Sequence, residues 1–216
     1  MKYKYILFDL DGTLTDPKEG ITKSIQYALR KYNIFVEDLD SLEKFIGPPL
    51  RDSFSEFYGF SIDKAAEAVE FYREYYRSKG IFQNIVYTGI EDALKVLKLE
   101  GCILITATTK PTLFAEQILE HFGLKQYFSA VVGSNLDGTR SRKGDIIKYI
   151  IESLNIKNTT EIVMIGDRKY DMEGARENDI HSIGVTYGYG TLQELQLSSP
   201  TYIAENAKDI VKLILM

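Results

Sequence analysis

Short apolar runs alternate with amphipathic stretches along most of the 216 residues. Tyr5-Ile6-Leu7-Phe8 is a continuous apolar run, the pattern of a parallel strand buried on both faces. Cys102 to Thr108, Phe128 to Gly133, Ile162 to Ile165 and Ser182 to Val185 repeat it, and Tyr202 to Ala204 gives a short sixth strand. Helices are predicted between them. Ile90, Ala93, Leu94 and Leu97 share one helical face, with Thr88-Gly89-Ile90-Glu91 matching a capping box and Gly101 ending the helix. Pro111 stands near the start of the next helix, which runs to about Phe122-Gly123. Further helices are expected over Lys143 to Leu154, Asp171 to Glu177, and a last one reaching Leu215.

One section has a different texture. From about Pro17 to Gly80 no buried-strand pattern occurs. Ile21, Ile25, Ala28 and Leu29 fall at helical spacing, as do Ile62, Ala65, Ala66, Val69, Tyr72 and Tyr76. Gly47-Pro48-Pro49 breaks the middle. The fold class expected is therefore α/β: a three-layer parallel-sheet core with a small all-α cap domain inserted after the first strand. The core takes residues 1–15 and 84–216 and the cap residues 16–83.

Composition adds limits. Hydrophobic residues make up 44% and charged residues 26%, an ordinary globular balance. A net charge of -5 with no basic run argues against a nucleic acid polymer or an anionic membrane as partner, but not against a small phosphorylated metabolite. The single cysteine, Cys102, forms no internal disulfide, which fits a reducing compartment. No signal peptide precedes the first strand and no apolar run is long enough to span a bilayer, so the expected location is cytoplasmic. Nothing demands more than a monomer.

The chemistry gathers where strands end. The first strand delivers Asp9 and breaks into a turn at Asp11-Gly12-Thr13. Residues two apart in extended chain point the same way, so both carboxylates can face one cleft, and their repulsion raises the pKa of one. Asp-x-Asp-Gly-Thr directly after a buried first strand resembles the first motif of the haloacid dehalogenase-like (HAD) superfamily of phosphohydrolases. The fourth strand ends at Gly166-Asp167. Asp9 and Asp167 offer hard oxygen ligands from two strand ends, and a main-chain carbonyl near Asp11 adds a third. A partly hydrated Mg²⁺ suits such a set better than Zn²⁺. Asp171 is either a partner of this group or a helix N-terminal cap. Lys143 is a cation at a helix start, against the macrodipole, which points to a use elsewhere; Arg140 and Arg142 are nearby alternatives. Thr108 ends the second strand and can donate its hydroxyl to a phosphate oxygen, as can Thr109.

Together these stretches resemble all four HAD motifs in order. Asp9 and Asp11, in FDLDGTLTD, match the nucleophile and the general acid/base. Thr108, in ITATTKP, matches the second-motif threonine; Lys143, in SRKGDII, the third-motif lysine; Asp167 and Asp171, in IGDRKYD, the fourth-motif acids. The helical insert resembles the cap of the phosphoglycolate phosphatase-like branch. The resemblance implies a Rossmann-like core with strand order 5-4-1-2-3, and catalysis through an aspartyl-phosphate. The loop Ser134 to Arg140 resembles a 5′-nucleotidase-like subgroup. Asp11 separates the chain from the dehalogenase and P-type ATPase branches, and Thr13 leans toward hydrolysis over a mutase.

Two points stay open in the sequence. Arg51, after Gly47-Pro48-Pro49-Leu50, is either a substrate-reading fork or a surface arginine. The tyrosine-rich stretch Phe71 to Tyr76 reads as cap packing, or as a base-stacking surface if the substrate is a nucleotide. The rival functions are a sugar phosphomutase of the same superfamily and a non-enzymatic phospho-receiver module. The second fits poorly with a helical insert after the first strand.

Overall fold

A computed structural model describes residues 2–216. In chain order the elements begin with β1 (Tyr5–Phe8), β2 (Thr15–Asp16), α1 (Lys18–Arg30), α2 (Leu50–Tyr58), α3 (Ile62–Ser78) and β3 (Ile85–Val86). There follow α4 (Ile90–Leu99), β4 (Ile103–Pro111), α5 (Thr112–His121), β5 (Ala130–Ser134), α6 (Lys143–Ser153) and β6 (Ile162–Gly166). The chain closes with α7 (Lys169–Glu177), β7 (His181–Val185), α8 (Leu192–Leu197), β8 (Tyr202–Ala204) and α9 (Ala207–Leu215).

By contacts the chain divides into two compact units, one of Met1–Asp16 with Val86–Met216 and one of Pro17–Ile85. The first unit holds a six-stranded sheet in the order β5-β4-β1-β6-β7-β8, with every pairing parallel. Counted along the sheet's own strands this is the expected order, extended by β8 at one edge. β1 lies at the centre, paired to β4 and β6 through Tyr5 to Phe8. Its residues are apolar throughout because both faces are covered. On one face Leu7, Ile105 and Met164 pack with Ile146, Ile147 and Ile150 of α6. Each such side chain contributes about 1.5–3 kcal/mol on burial. That packing fixes α6, and with it Lys143 at the helix start.

The second unit is helical. α1 packs on α3, and α2 on α3. A 3-10 segment, Leu39–Phe45, joins α1 to α2, and Asp38 caps it by accepting from Asp40 N. Phe45 meets the rings of Phe54 and Phe57 edge-on.

Several local expectations are corrected. The strand expected to end at Thr108 continues to Pro111, with a register shift between Thr108 and Pro111. The Thr88–Glu91 capping box does not form. Gly89 is the N-cap, in the left-handed region at φ 81°, and no side chain caps α4. Ile62 was expected on a buried face and is 85% exposed, because it is the first residue of α3 and stands beyond the packed turns. The ribbon β2–β3 and helix α8 have no counterpart in the expected elements.

Candidate active site

β1 stops at Phe8, so Asp9 emerges at the carboxyl end of the central strand, where its N–H still donates to Ile165 O at 2.9 Å. Asp167 follows the end of β6 in the same way. β1 and β6 are the pair at which the strand order reverses, the place where open parallel sheets form a crevice. The buried carboxylates of Asp9, Asp167 and Asp171 each bring an oxygen within 4.8 Å of the others. Gly12 makes this approach possible. It sits at φ 82°, and a Cβ there would lie 2.2 Å from Asp167 Oδ2.

Lys143 completes the group. The α6 backbone begins at this residue, and its buried ammonium donates to Ala107 O at 2.7 Å. It also meets Asp171 Oδ1 at 2.7 Å and Asp9 Oδ1 at 3.0 Å. Burial pulls its pKa down, but the charges of Asp171 and Asp9 outweigh burial and hold it above its ordinary value. The alternatives are engaged elsewhere. Arg140 lies over the Tyr149 ring and donates to Gly133 O, while exposed Arg142 pairs with Glu177. Asp171 does both things considered for it: Oδ2 accepts from Arg168 N at 3.1 Å, closing the first turn of α7, and Oδ1 faces Lys143.

Asp11 turns away from that cluster. Its Oδ2 pairs with Lys110 Nζ at 2.8 Å, and both side chains are largely buried. Its carboxyl is held above the ordinary carboxylate range, first by burial, with Lys110 opposing and the Asp9 charge adding to it. The direction is the one expected from two neighbouring acids, but burial, not repulsion, is the leading cause. Thr108 is buried, and its Oγ1 accepts from Lys110 N at 3.2 Å, leaving the hydroxyl proton to donate. Thr109 is fixed through its carbonyl, which accepts from Ser134 Oγ at 2.7 Å. Arg51 belongs to the other unit, exposed in the first turn of α2.

Sequence reasoning missed two supports. Lys110 is one; the signal was a lysine directly after a buried strand and before the proline that opens a helix. The other is the loop Tyr187-Gly188-Tyr189-Gly190, which follows β7 at the same sheet end. Tyr189 N donates to Asp167 Oδ2 at 2.7 Å, and Thr13 Oγ1 donates to Oδ1 at 3.4 Å. Tyr187 OH donates to Thr13 O at 2.9 Å, and Tyr189 OH donates to Asp16. Burial keeps both phenols well above their ordinary pKa, so they act as donors. Two glycines alternating with tyrosines were the available signal.

The cluster is electrostatically unbalanced. Three buried carboxylates gather here while the Lys143 ammonium pairs with only two of them, Asp9 and Asp171, and Asp167 is held well above its ordinary pKa by burial and by the charges of Asp171 and Asp9. An all-oxygen group of this kind fits a hard divalent cation. Asp171 has both oxygens engaged, with Lys143 and with Arg168 N, whereas the contacts of Asp9 fall on Oδ1. The Asp11 carboxylate lies outside the group.

Such a parallel sheet, with acids at its central strand ends, defines a class. The family model for haloacid dehalogenase-like hydrolases matches residues 6–185, and the chain belongs to that family. It is a phosphoric monoester hydrolase. A 5′-nucleotidase of Pseudomonas aeruginosa is 46% identical over 202 residues, spanning 94% of this chain and 91% of that protein. Tyrosine-protein kinase PtkA of Mycobacterium tuberculosis is 34% identical, over 94% of this chain and 68% of that protein. The crystal structure of a predicted phosphatase from Clostridium acetobutylicum superposes with a TM-score of 0.96 at 54% identity, covering 100% of this chain and 99% of that one. Among the described residues no helix is long and apolar enough to cross a membrane.

Proposed function

We propose that the chain is a Mg²⁺-dependent phosphatase of small phosphate monoesters, nucleoside monophosphates foremost, acting through an aspartyl-phosphate on Asp9. The observation that carries this reading is the buried gathering of Asp9, Asp167, Asp171 and Lys143 at the sheet's switch point. The choice of substrate class rests on the likeness to a protein named 5′-nucleotidase.

The chemistry divides between the two acids of the first loop. An Asp9 carboxylate oxygen attacks phosphorus, and the bond from phosphorus to the leaving oxygen breaks. The electron pair goes to that oxygen, which takes a proton from Asp11. Asp11, now a carboxylate, accepts a proton from water as the water oxygen attacks phosphorus and the Asp9–phosphorus bond breaks. Lys143 keeps positive charge beside Asp9 throughout, and Thr108 donates to a phosphate oxygen. A bound Mg²⁺, held by Asp9 and Asp167 with the main chain at residue 11, supplies charge neutralisation for an anionic substrate. Arg51 is the proposed reader of the leaving group. The partner is a small phosphorylated metabolite, the enzyme a cytoplasmic monomer, with no role for nucleic acid polymers or membranes.

The test is phosphate release over a panel of nucleoside monophosphates, phosphoglycolate and sugar phosphates, with and without Mg²⁺. Turnover is expected only with the cation and best on the nucleotides. Asp9→Asn is expected to abolish turnover with the thermal transition retained. Wild-type turnover in that variant sinks the mechanism; preference for phosphoglycolate moves the substrate class. Transfer to a sugar phosphate exceeding phosphate release would favour a mutase.

A further inference from the structure

We infer that Lys110 is a positioning residue that fixes which oxygen of Asp11 faces the reaction. The inference rests on the reading of Asp11 as the proton donor. An ammonium as buried as Lys110 is costly unless it is paired, and its Nζ meets Asp11 Oδ2 at 2.8 Å. The other oxygen, Oδ1, is buried and meets no hydrogen-bond donor among the described residues. The carboxyl is thus tied at one oxygen and unpaired at the other. A carboxyl proton cannot reside comfortably on the oxygen that already accepts from an ammonium, so Oδ1 is the atom that carries it.

The backbone of Lys110 is built to stay in place. β4 shifts register after Thr108, and Lys110 N donates to Thr108 Oγ1 at 3.2 Å. Ser134 Oγ holds Thr109 O at 2.7 Å from the neighbouring strand. The carbonyl of Lys110 fits against Gly133 only because that residue has no side chain; a Cβ there would lie 2.2 Å from it. One short segment therefore sets both the Thr108 hydroxyl and, through Lys110, the orientation of Asp11. The two lysines of the site do different work: Lys143 serves Asp9 and Asp171, and Lys110 serves Asp11.

Proton donation matters in proportion to how badly the leaving oxygen needs it. The experiment compares kcat/KM for benzyl phosphate, whose alkoxide leaves poorly, with p-nitrophenyl phosphate, whose phenolate leaves well. The proteins are wild type, Lys110→Met, Lys110→Arg and Asp11→Asn. A positioned general acid contributes roughly 10²–10⁴-fold. Lys110→Met is expected to lose about tenfold or more on benzyl phosphate and much less on p-nitrophenyl phosphate, with Lys110→Arg recovering part of the loss. If Lys110→Met does not fold, Lys110→Gln carries the same comparison. Equal losses on the two substrates, alongside an unequal loss in Asp11→Asn, overturn the inference and leave the proposed mechanism standing. Equal losses in Asp11→Asn overturn the mechanism itself.

Discussion

Gly188→Ala tests whether the loop after β7 acts as a support for Asp167. Gly188 is not among the glycines with positive φ, so its backbone is one an alanine can adopt. The obstacle is steric. A Cβ at 188 would lie 2.3 Å from Gly12 O, 2.4 Å from Asp167 Cβ and 2.5 Å from Asp167 Oδ2. Two of these atoms belong to backbone or to the root of a buried side chain and cannot swing aside. The loop must retreat by about 1 Å, which takes the adjoining Tyr189 N–H beyond hydrogen-bond range of Asp167 Oδ2. Overpacking costs about 1–3 kcal/mol, and a hydrogen bond to a charged group about 1.5–3 kcal/mol. The two overlap because the retreat relieves the clash, so a total of roughly 2–4 kcal/mol is expected. For a chain of this size that lowers Tm by roughly 5–15 °C. Thermal unfolding measures it directly, and the Mg²⁺ concentration needed to raise Tm should increase in the same variant. A Gly188→Ala protein that melts with wild type and binds Mg²⁺ equally well would refute the reasoning.

Two further outcomes follow from the buried charges. Lys143→Met leaves Asp9 and Asp171 without their ammonium, so urea unfolding should show a loss of about 3–5 kcal/mol and kcat a fall of about 10²-fold or more; wild-type stability would show that the ion pairs carry little. In the metal-free protein, burial and neighbouring acids hold Asp167 and Asp171 above the ordinary carboxylate range, Asp171 at about 6. Their folded pKa values exceed the unfolded ones, so the folded state binds protons more tightly. Stability with EDTA should therefore decline between about pH 4 and about pH 7, and added Mg²⁺ should raise Tm more near pH 7 than near pH 5. A Tm in EDTA that climbs across that window contradicts the sign.

Where the sequence was readable, one signal dominated at each position. The β1 run is apolar at four consecutive positions, Tyr5 to Phe8, which leaves little choice but a buried parallel strand and puts Asp9 at its end. Asp167, Lys143 and Asp171 stand at the ends of elements too, so the topology alone brings them to one crevice. Readability failed where two signals competed. Thr88 and Glu91 fit a capping box, yet Gly89 between them takes the left-handed region at no steric cost and becomes the cap itself. Thr108 looked like the last residue of its strand because a lysine and a proline follow. The strand instead continues through an irregular pairing, and the lysine is buried. The Tyr187–Gly190 loop carries no periodicity at all, and its fit against Gly12 and Asp167 is a matter of tertiary approach.

The Asp-x-Asp pair shows why such tertiary facts decide chemistry. Residues 9 and 11 are the same side chain two positions apart, and spacing predicts that they share one cleft and perturb each other. The fold gives each its own lysine instead. Asp9, at the strand end, meets Lys143 from α6; Asp11, in the turn, meets Lys110 from the shifted end of β4. The Asp9 charge is only a lesser cause of the raised Asp11 pKa, behind burial and the opposing Lys110. Division of labour between two identical acids therefore comes from two separate environments rather than from their mutual repulsion. On this view a change at Lys110 alters the proton donor while leaving the contacts of Asp9 in place, and a change at Lys143 does the reverse.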